Sequence, residues 1–192
     1  MPIVSSAPLV DDHTDDALDD ALLARWRSGD ERAATALVER HAPALARYAA
    51  SLGARAEAEE VVQDTFVRAF QALDGFRADS SLRTWLFTIA RRLVLDRRRA
   101  GGRRSRHEVD APEDVDVAAA HTALDDLVAG ETHGRLRAAV ERLTPTQREV
   151  FLLRVVDGRA YKEIARIAGT TEGSARVHYH NALRSVQEFL DV

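Results

Sequence analysis

Arginine and carboxylate are the residues of this chain whose number and spacing could do chemistry. Between Phe76 and Arg106, Arg77, Arg83, Arg91, Arg92, Arg97, Arg98, Arg99, Arg103, Arg104 and Arg106 stand against only Asp79 and Asp96, a formal charge of about +8. Such a row favours phosphates, with a solvated face and a basic linker behind it as the alternative. A second group stands near the start of the last helix: Ser174, Arg176, Val177, His180 and Asn181. Arginine is shaped to pair with guanine, and asparagine can pair with adenine, in a major groove. A third group, Glu60, Gln63, Asp64 and Arg68, lies on the outer side of a helix. It reads as a solvated face or as a dock for a basic partner helix.

Other chemistries have little support. The chain has no cysteine, which removes disulfides and thiolate metal sites. The seven histidines are scattered. His178 and His180 point about 200° apart on a helix and cannot share a metal. There is no nucleophile motif and no phosphate-binding glycine loop. The expectation is a protein that is not an enzyme and carries no cofactor or metal. No apolar run approaches a membrane span, and Met1–Val10 lacks the basic start and apolar core of a signal peptide. The expected location is the cytoplasm, with no membrane insertion.

The 192 residues carry a net charge of −4, so overall charge is silent on nucleic acid. Its distribution is not. Asp11, Asp12, Asp15, Asp16, Asp19 and Asp20 form an acidic head with no Lys or Arg before Arg25, and residues 108–131 form a second acidic run with none. These read as a disordered extension over 1–20 and an acidic linker over 107–132. Two small helical domains follow, 21–106 and 133–192, giving an all-α chain of two modules joined by a flexible acidic linker.

Periodicity supplies the helices. Leu22, Leu23 and Trp26 open a face, and Asp30 can cap a helix carrying Ala33, Ala36, Leu37, His41, Ala44, Leu45 and Tyr48. Pro43 predicts a kink or break near His41–Ala42, and His41 reads as a hydrogen-bonded core residue. Glu59–Leu73 is a helix with Val62, Phe66, Ala69, Phe70 and Leu73 inward, closed by Asp74-Gly75 in a left-handed cap. Leu82, Trp85, Leu86, Ile89, Ala90 and Leu93 mark one apolar face, with Asp79 and Ser80 as caps. Gly101-Gly102 opens the linker, within which Val117–Val128 reads as a short helix. His133–Leu143 is helical. Thr144-Pro145-Thr146-Gln147 is a capping box with proline at the first position, before a helix with Val150, Phe151, Leu153 and Val155 inward. A short helix over Tyr161–Ala168, the turn Gly169-Thr170-Thr171 and a helix over Glu172–Leu190 write a helix-turn-helix, favoured over a generic αα-hairpin by the turn length, the cap and the local basic excess.

The blocks AEEVVQDTFVRAF (58–70), FRADSSLRTWLFTIARRLVLDRRR (76–99) and LTPTQREVFLLRVVDGRAYKEIARIAGTTEGSARVHYHNAL (143–183) together resemble an extracytoplasmic-function RNA polymerase sigma factor of the sigma-70 family. The resemblance covers about Ala21–Arg106 and His133–Leu190. It implies a sigma-2-like bundle that grips core RNA polymerase and reads the −10 promoter element. Glu60, Gln63, Asp64 and Arg68 would meet the β′ clamp coiled coil, with the β subunit as a further contact. Arg77, Arg83, Arg91, Arg92, Arg97 and Arg98 would face the melted −10 strand. The sigma-4-like domain would read −35 duplex, with Arg154, Tyr161 and Lys162 near phosphates and Ser174, Arg176, Val177, His180 and Asn181 on the recognition helix. An anti-sigma factor is an implied partner. Arg92 replaces a frequent asparagine, His178 a frequent arginine and Ala160 a capping serine, which leaves base preference open. The rival reading is a free-standing helix-turn-helix regulator of duplex DNA, which gives residues 58–99 no role.

Overall fold

The structure is a computed structural model that describes residues 12–76, 78–105 and 131–191. Those residues form eight α-helices and a 3-10 turn, with no strand among them. The helices are α1 (Asp12–Arg27), α2 (Glu31–Ser51), α3 (Ala58–Gln71), α4 (Leu82–Ser105), α5 (Glu131–Glu141), α6 (Pro145–Val155), α7 (Tyr161–Ala168) and α8 (Glu172–Leu190). The all-α expectation holds. Packing divides the chain inside α2, between His41 and Ala42.

In the N-terminal unit, α1 begins at Asp12, which corrects the expectation of disorder through residue 20. The cause is a set of charges one helical turn apart. Asp15 and Asp19 both meet Arg40, at 2.6 and 2.8 Å, and His41 Nε2 lies 3.0 Å from the Asp19 carboxylate. Asp19 and His41 are buried, so His41 is the hydrogen-bonded core residue expected. Asp30 caps α2 by accepting the Arg32 N–H at 3.0 Å. Of the kink or break expected near His41–Ala42, the break does not occur: α2 runs through Pro43. Proline removes one N–H from the helix ladder, and apolar burial on the same helix holds the turns on either side: Leu37 before it, and Ala44, Leu45 and Tyr48 after it, are all buried.

In the larger unit, α3 packs on α4. Val61, Val62, Phe66 and Ala69 are the buried face of α3, and Leu86, Ala90 and Leu93 are buried on α4. Gly75 is not left-handed. The 3-10 turn Leu73–Gly75 closes α3 instead, with the Phe76 N–H donating to the Leu73 carbonyl at 3.0 Å. The cap of α4 is Ser81 rather than Asp79 or Ser80, its hydroxyl accepting the Thr84 N–H at 3.2 Å. Helix α4 also continues through Gly101-Gly102 to Ser105. Val117–Val128 lies outside the described residues.

Helices α5, α6 and α8 share a core of Ala139, Val140, Leu143, Phe151, Leu152, Ala182 and Val186. The Thr144–Gln147 capping box forms in both directions. On α6 Val150, Phe151 and Leu153 are buried as expected, Leu152 is buried with them, and Val155 is exposed. The buried guanidinium of Arg148 donates to the carbonyls of Val140, Glu141 and Leu143, which satisfies the end of α5. Gly169 takes φ +66°, a left-handed conformation that suits glycine, and turns the chain from α7 toward α8. Thr171 then caps α8 by accepting the Ser174 N–H at 3.1 Å.

Candidate nucleic-acid interface

The acidic face of α3 and the basic tail of α4 meet. Arg97 reaches Glu57 at 3.2 Å, Glu60 at 3.1 Å and Asp64 at 2.8 Å. The hydrogen bond to Asp64 leads the causes that raise the Arg97 pKa. Two residues expected to meet a protein partner, Glu60 and Asp64, are thus joined to one expected to meet DNA. Gln63 and Arg68 are exposed on the same helix, and Arg92 and Arg98 are exposed on α4. Arg77 lies outside the described residues.

Arg83 and Arg91 are committed differently. Helix α4 is buried along a second stripe, Thr84, Phe87 and Val94: α7 packs on it as well as α3, and the Phe87 ring lies 4.9 Å from that of Tyr48 on α2. The polar contacts of that second side are specific. Arg91 Nε donates to Glu149 at 2.7 Å, and the Tyr48 hydroxyl donates to the same carboxylate oxygen at 2.7 Å. Burial opposes the charge on Arg91, but the Glu149 carboxylate outweighs it and raises the pKa. Burial, reinforced by Glu149, pushes the Tyr48 hydroxyl well above the ordinary tyrosine value, so it remains a donor. Thr84 and Ser81 donate to Glu163 at 2.5 and 3.3 Å. Arg166 donates to the Asp79 carbonyl at 2.5 Å. Arg83 lies 3.5 Å from Asp157, whose pKa is raised because burial outweighs the pull of the neighbouring arginines.

None of Tyr48, Thr84, Glu149, Asp157 or Glu163 was singled out as a functional residue from sequence. Glu149 sits beside Val150 and Phe151 in the chain, and a 3.6-residue period does not mark a charged residue as buried. Glu163 was legible in one respect. It stands third in α7, and its carboxylate accepts the Ala160 N–H at 3.0 Å. That supplies half a capping box where Ala160 offers no side-chain oxygen.

On the helix-turn-helix, Lys162, Arg176, Val177 and His180 are exposed, and Ser174 and Asn181 are half-buried. Val177 is 57% exposed, an apolar side chain with no core to serve. Arg154 and Arg176 both stack on Tyr161, their guanidinium carbons 5.0 and 4.6 Å from its ring centroid. The structure therefore brings Arg154, Tyr161 and Arg176 together.

Comparison with known proteins decides the family. The model for Sigma-70 region 2 matches residues 37–104, and that for Sigma-70, region 4 matches residues 133–186. The chain is 36% identical over 167 residues to RNA polymerase sigma factor NccH of Alcaligenes xylosoxydans xylosoxydans, covering 82% of this chain and 87% of that one. It is 30% identical over 175 residues to the ECF RNA polymerase sigma-E factor of Escherichia coli K12, covering 88% and 92%. The chain belongs to the extracytoplasmic-function sigma factors of the sigma-70 family. Two solved relatives agree in fold with this ECF sigma factor. One is the sigma factor RpoE in complex with the anti-sigma factor NepR from Bartonella quintana, at 26% identity, TM-score 0.64 and coverage of 82% and 96%. The other is CnrH in complex with the cytosolic domain of CnrY, at 29% identity, TM-score 0.63 and coverage of 91% and 97%. A sigma factor acts in transcription initiation, and the family's members are not enzymes. The region 2 match gives residues 58–99 a role that a free-standing helix-turn-helix regulator lacks.

Proposed function

We propose that this ECF sigma factor binds core RNA polymerase through α3, captures the melted −10 strand with α4 and reads −35 duplex with α8. Residues 21–106 act as the sigma-2-like module, 107–132 as the acidic tether and 133–192 as the sigma-4-like module. Glu60, Gln63, Asp64 and Arg68 dock on the β′ coiled coil, and the β subunit meets the second module. Arg92 and Arg98 are exposed for the single strand as they stand. Arg83, Arg91 and Arg97 join them once released from their carboxylates, and Arg77 completes the set. Arg154 and Lys162 lie toward phosphates, and Ser174, Arg176, Val177, His180 and Asn181 toward bases.

The observation that carries this reading is the exposed first half of α8. It presents Arg176, Val177 and His180 to solvent directly after a capped, glycine-closed turn. That is the geometry by which a recognition helix enters a major groove. At the −10 element, each base leaves the stack at a cost of a few kcal/mol. Contacts to single strand offset that cost, so opening needs no ATP. The chain itself performs no catalysis. It works in the cytoplasm with the polymerase, and no helix among the described residues is long and apolar enough to cross a membrane. An anti-sigma factor holds it inactive, by analogy with the two solved relatives, each of which is bound to a partner.

Permanganate footprinting tests the strand-capture step. With purified core polymerase and this chain, thymines in the −10 region of a responsive promoter become reactive without ATP. An unreactive −10 region in a complex that is bound at −35 contradicts the proposal.

A further inference from the structure

The Tyr161 ring is the meeting point of three helices. It begins α7, carries Arg154 from α6 at 5.0 Å, and meets Arg176 and Tyr179 from α8 at 4.6 and 5.9 Å. Arg154 is itself fixed, since its Nη1 donates to the Arg159 carbonyl at 2.8 Å. Among the described residues Arg176 has one other restraint, a 2.5 Å contact from Nη2 to Glu172 one turn earlier. The two restraints differ in kind. The Glu172 contact uses donors, and it is solvent-exposed, with Arg176 and Glu172 side chains 60% and 47% accessible, so it exchanges readily. Stacking on a ring holds the guanidinium without using its N–H groups, which leaves the fork that matches guanine O6 and N7.

We infer that Tyr161 is a specificity-positioning residue, whose ring orients Arg176 for one base pair of the −35 element instead of its hydroxyl binding phosphate. This rests on the reading of α8 as the duplex reader. A phosphate contact would strengthen binding to every sequence alike. A ring that orients Arg176 acts at a single position.

The test is transcription by core polymerase with the full-length chain on a promoter library randomised in the upstream element. Tyr161→Phe keeps the ring and is expected to retain both yield and base preference. Tyr161→Leu is expected to lose roughly two- to fivefold of the discrimination at one position, the same position that Arg176→Ala relaxes, and to add nothing in the Arg176→Ala background. A uniform loss across all promoters with Tyr161→Phe overturns the inference, as does unchanged stringency with Tyr161→Leu. If the leucine variant fails to melt cooperatively, the phenylalanine variant decides alone, by retained selectivity or uniform loss. A wild-type chain that initiates at no promoter overturns the reading of α8, and the inference with it. Wild-type selection with no position-specific effect of Tyr161 overturns the inference alone.

Discussion

Arg91 on α4 and Glu149 on α6 form a hydrogen-bonded ion pair at 2.7 Å, with a second contact at 3.3 Å, across 58 residues of chain. The pair takes a guanidinium proposed for promoter DNA and satisfies it with a carboxylate of the same molecule. Tyr48 completes the group from α2. Arg91 is therefore available to DNA only when Glu149 lets it go.

Glu149→Ala is expected to have two effects. It leaves the buried Tyr48 hydroxyl without its acceptor and Arg91 without its counterion, at a cost of about 1–3 kcal/mol in urea unfolding. It also frees Arg91, so a fluorescent single-stranded oligonucleotide binds more tightly than to the wild-type chain. An unchanged unfolding midpoint, or equal oligonucleotide affinity, contradicts the assignment.

Acid sensitivity should run through Glu163. Burial favours its neutral form, but hydrogen bonds from Thr84, Ser81 and the Ala160 N–H, with the charge of Arg159, outweigh that and hold its pKa below the ordinary glutamate value. A carboxylate lowered by folding contributes stability above its unfolded value and loses it as pH falls through the folded one. Thermal melts below pH 4.5 should therefore show a shallower loss for Glu163→Gln than for the wild type. Identical slopes would count against the contact. Asp157 works in the opposite sense: burial raises it, so its cost to folding appears as pH rises through the folded value.

The Arg97 cluster predicts a salt dependence. Glu57, Glu60 and Asp64 are about half exposed or more, so solvent screens each pair. Arg97→Ala should cost about 0.5–1 kcal/mol at low salt through the repulsion left on α3. Most of that loss should vanish near 1 M salt, where the screening length is about 3 Å. A loss of the same size at both salts would point to packing of the arginine stem instead.

Much of the fold was legible where a local rule decides the backbone. Thr144 and Gln147, Gly169 and Thr171 each fixed a helix end in the sequence and do so in the structure. The misses share a different cause: each depends on a partner distant in sequence. Asp15 and Asp19 read as part of an acidic tail until Arg40 and His41 answer them. The single apolar stripe on α4 concealed a second, because the partners of Thr84 and Phe87 are Glu163 and Tyr48, both distant in the chain. Arg148 and Glu149 look like surface charges in any periodicity count, yet their polar atoms are satisfied by α5 carbonyls and by Arg91 with Tyr48. At the candidate interface, residue types were readable, while which arginines are already paired was not.

Asp64→Lys tests the polymerase dock. It reverses the charge offered to a basic partner helix and places a cation beside Arg97. Affinity for core polymerase, measured by fluorescence anisotropy, should fall roughly tenfold or more, with the helical content unchanged. Equal affinity removes α3 from the dock.

Transcription in vitro decides whether the chain directs the polymerase to promoters. Purified core polymerase is supplied with a promoter library, with and without this chain. Initiation is expected from a small set of promoters sharing upstream and −10 elements, only when the chain is present. A library that gives the same transcripts with and without the chain contradicts it.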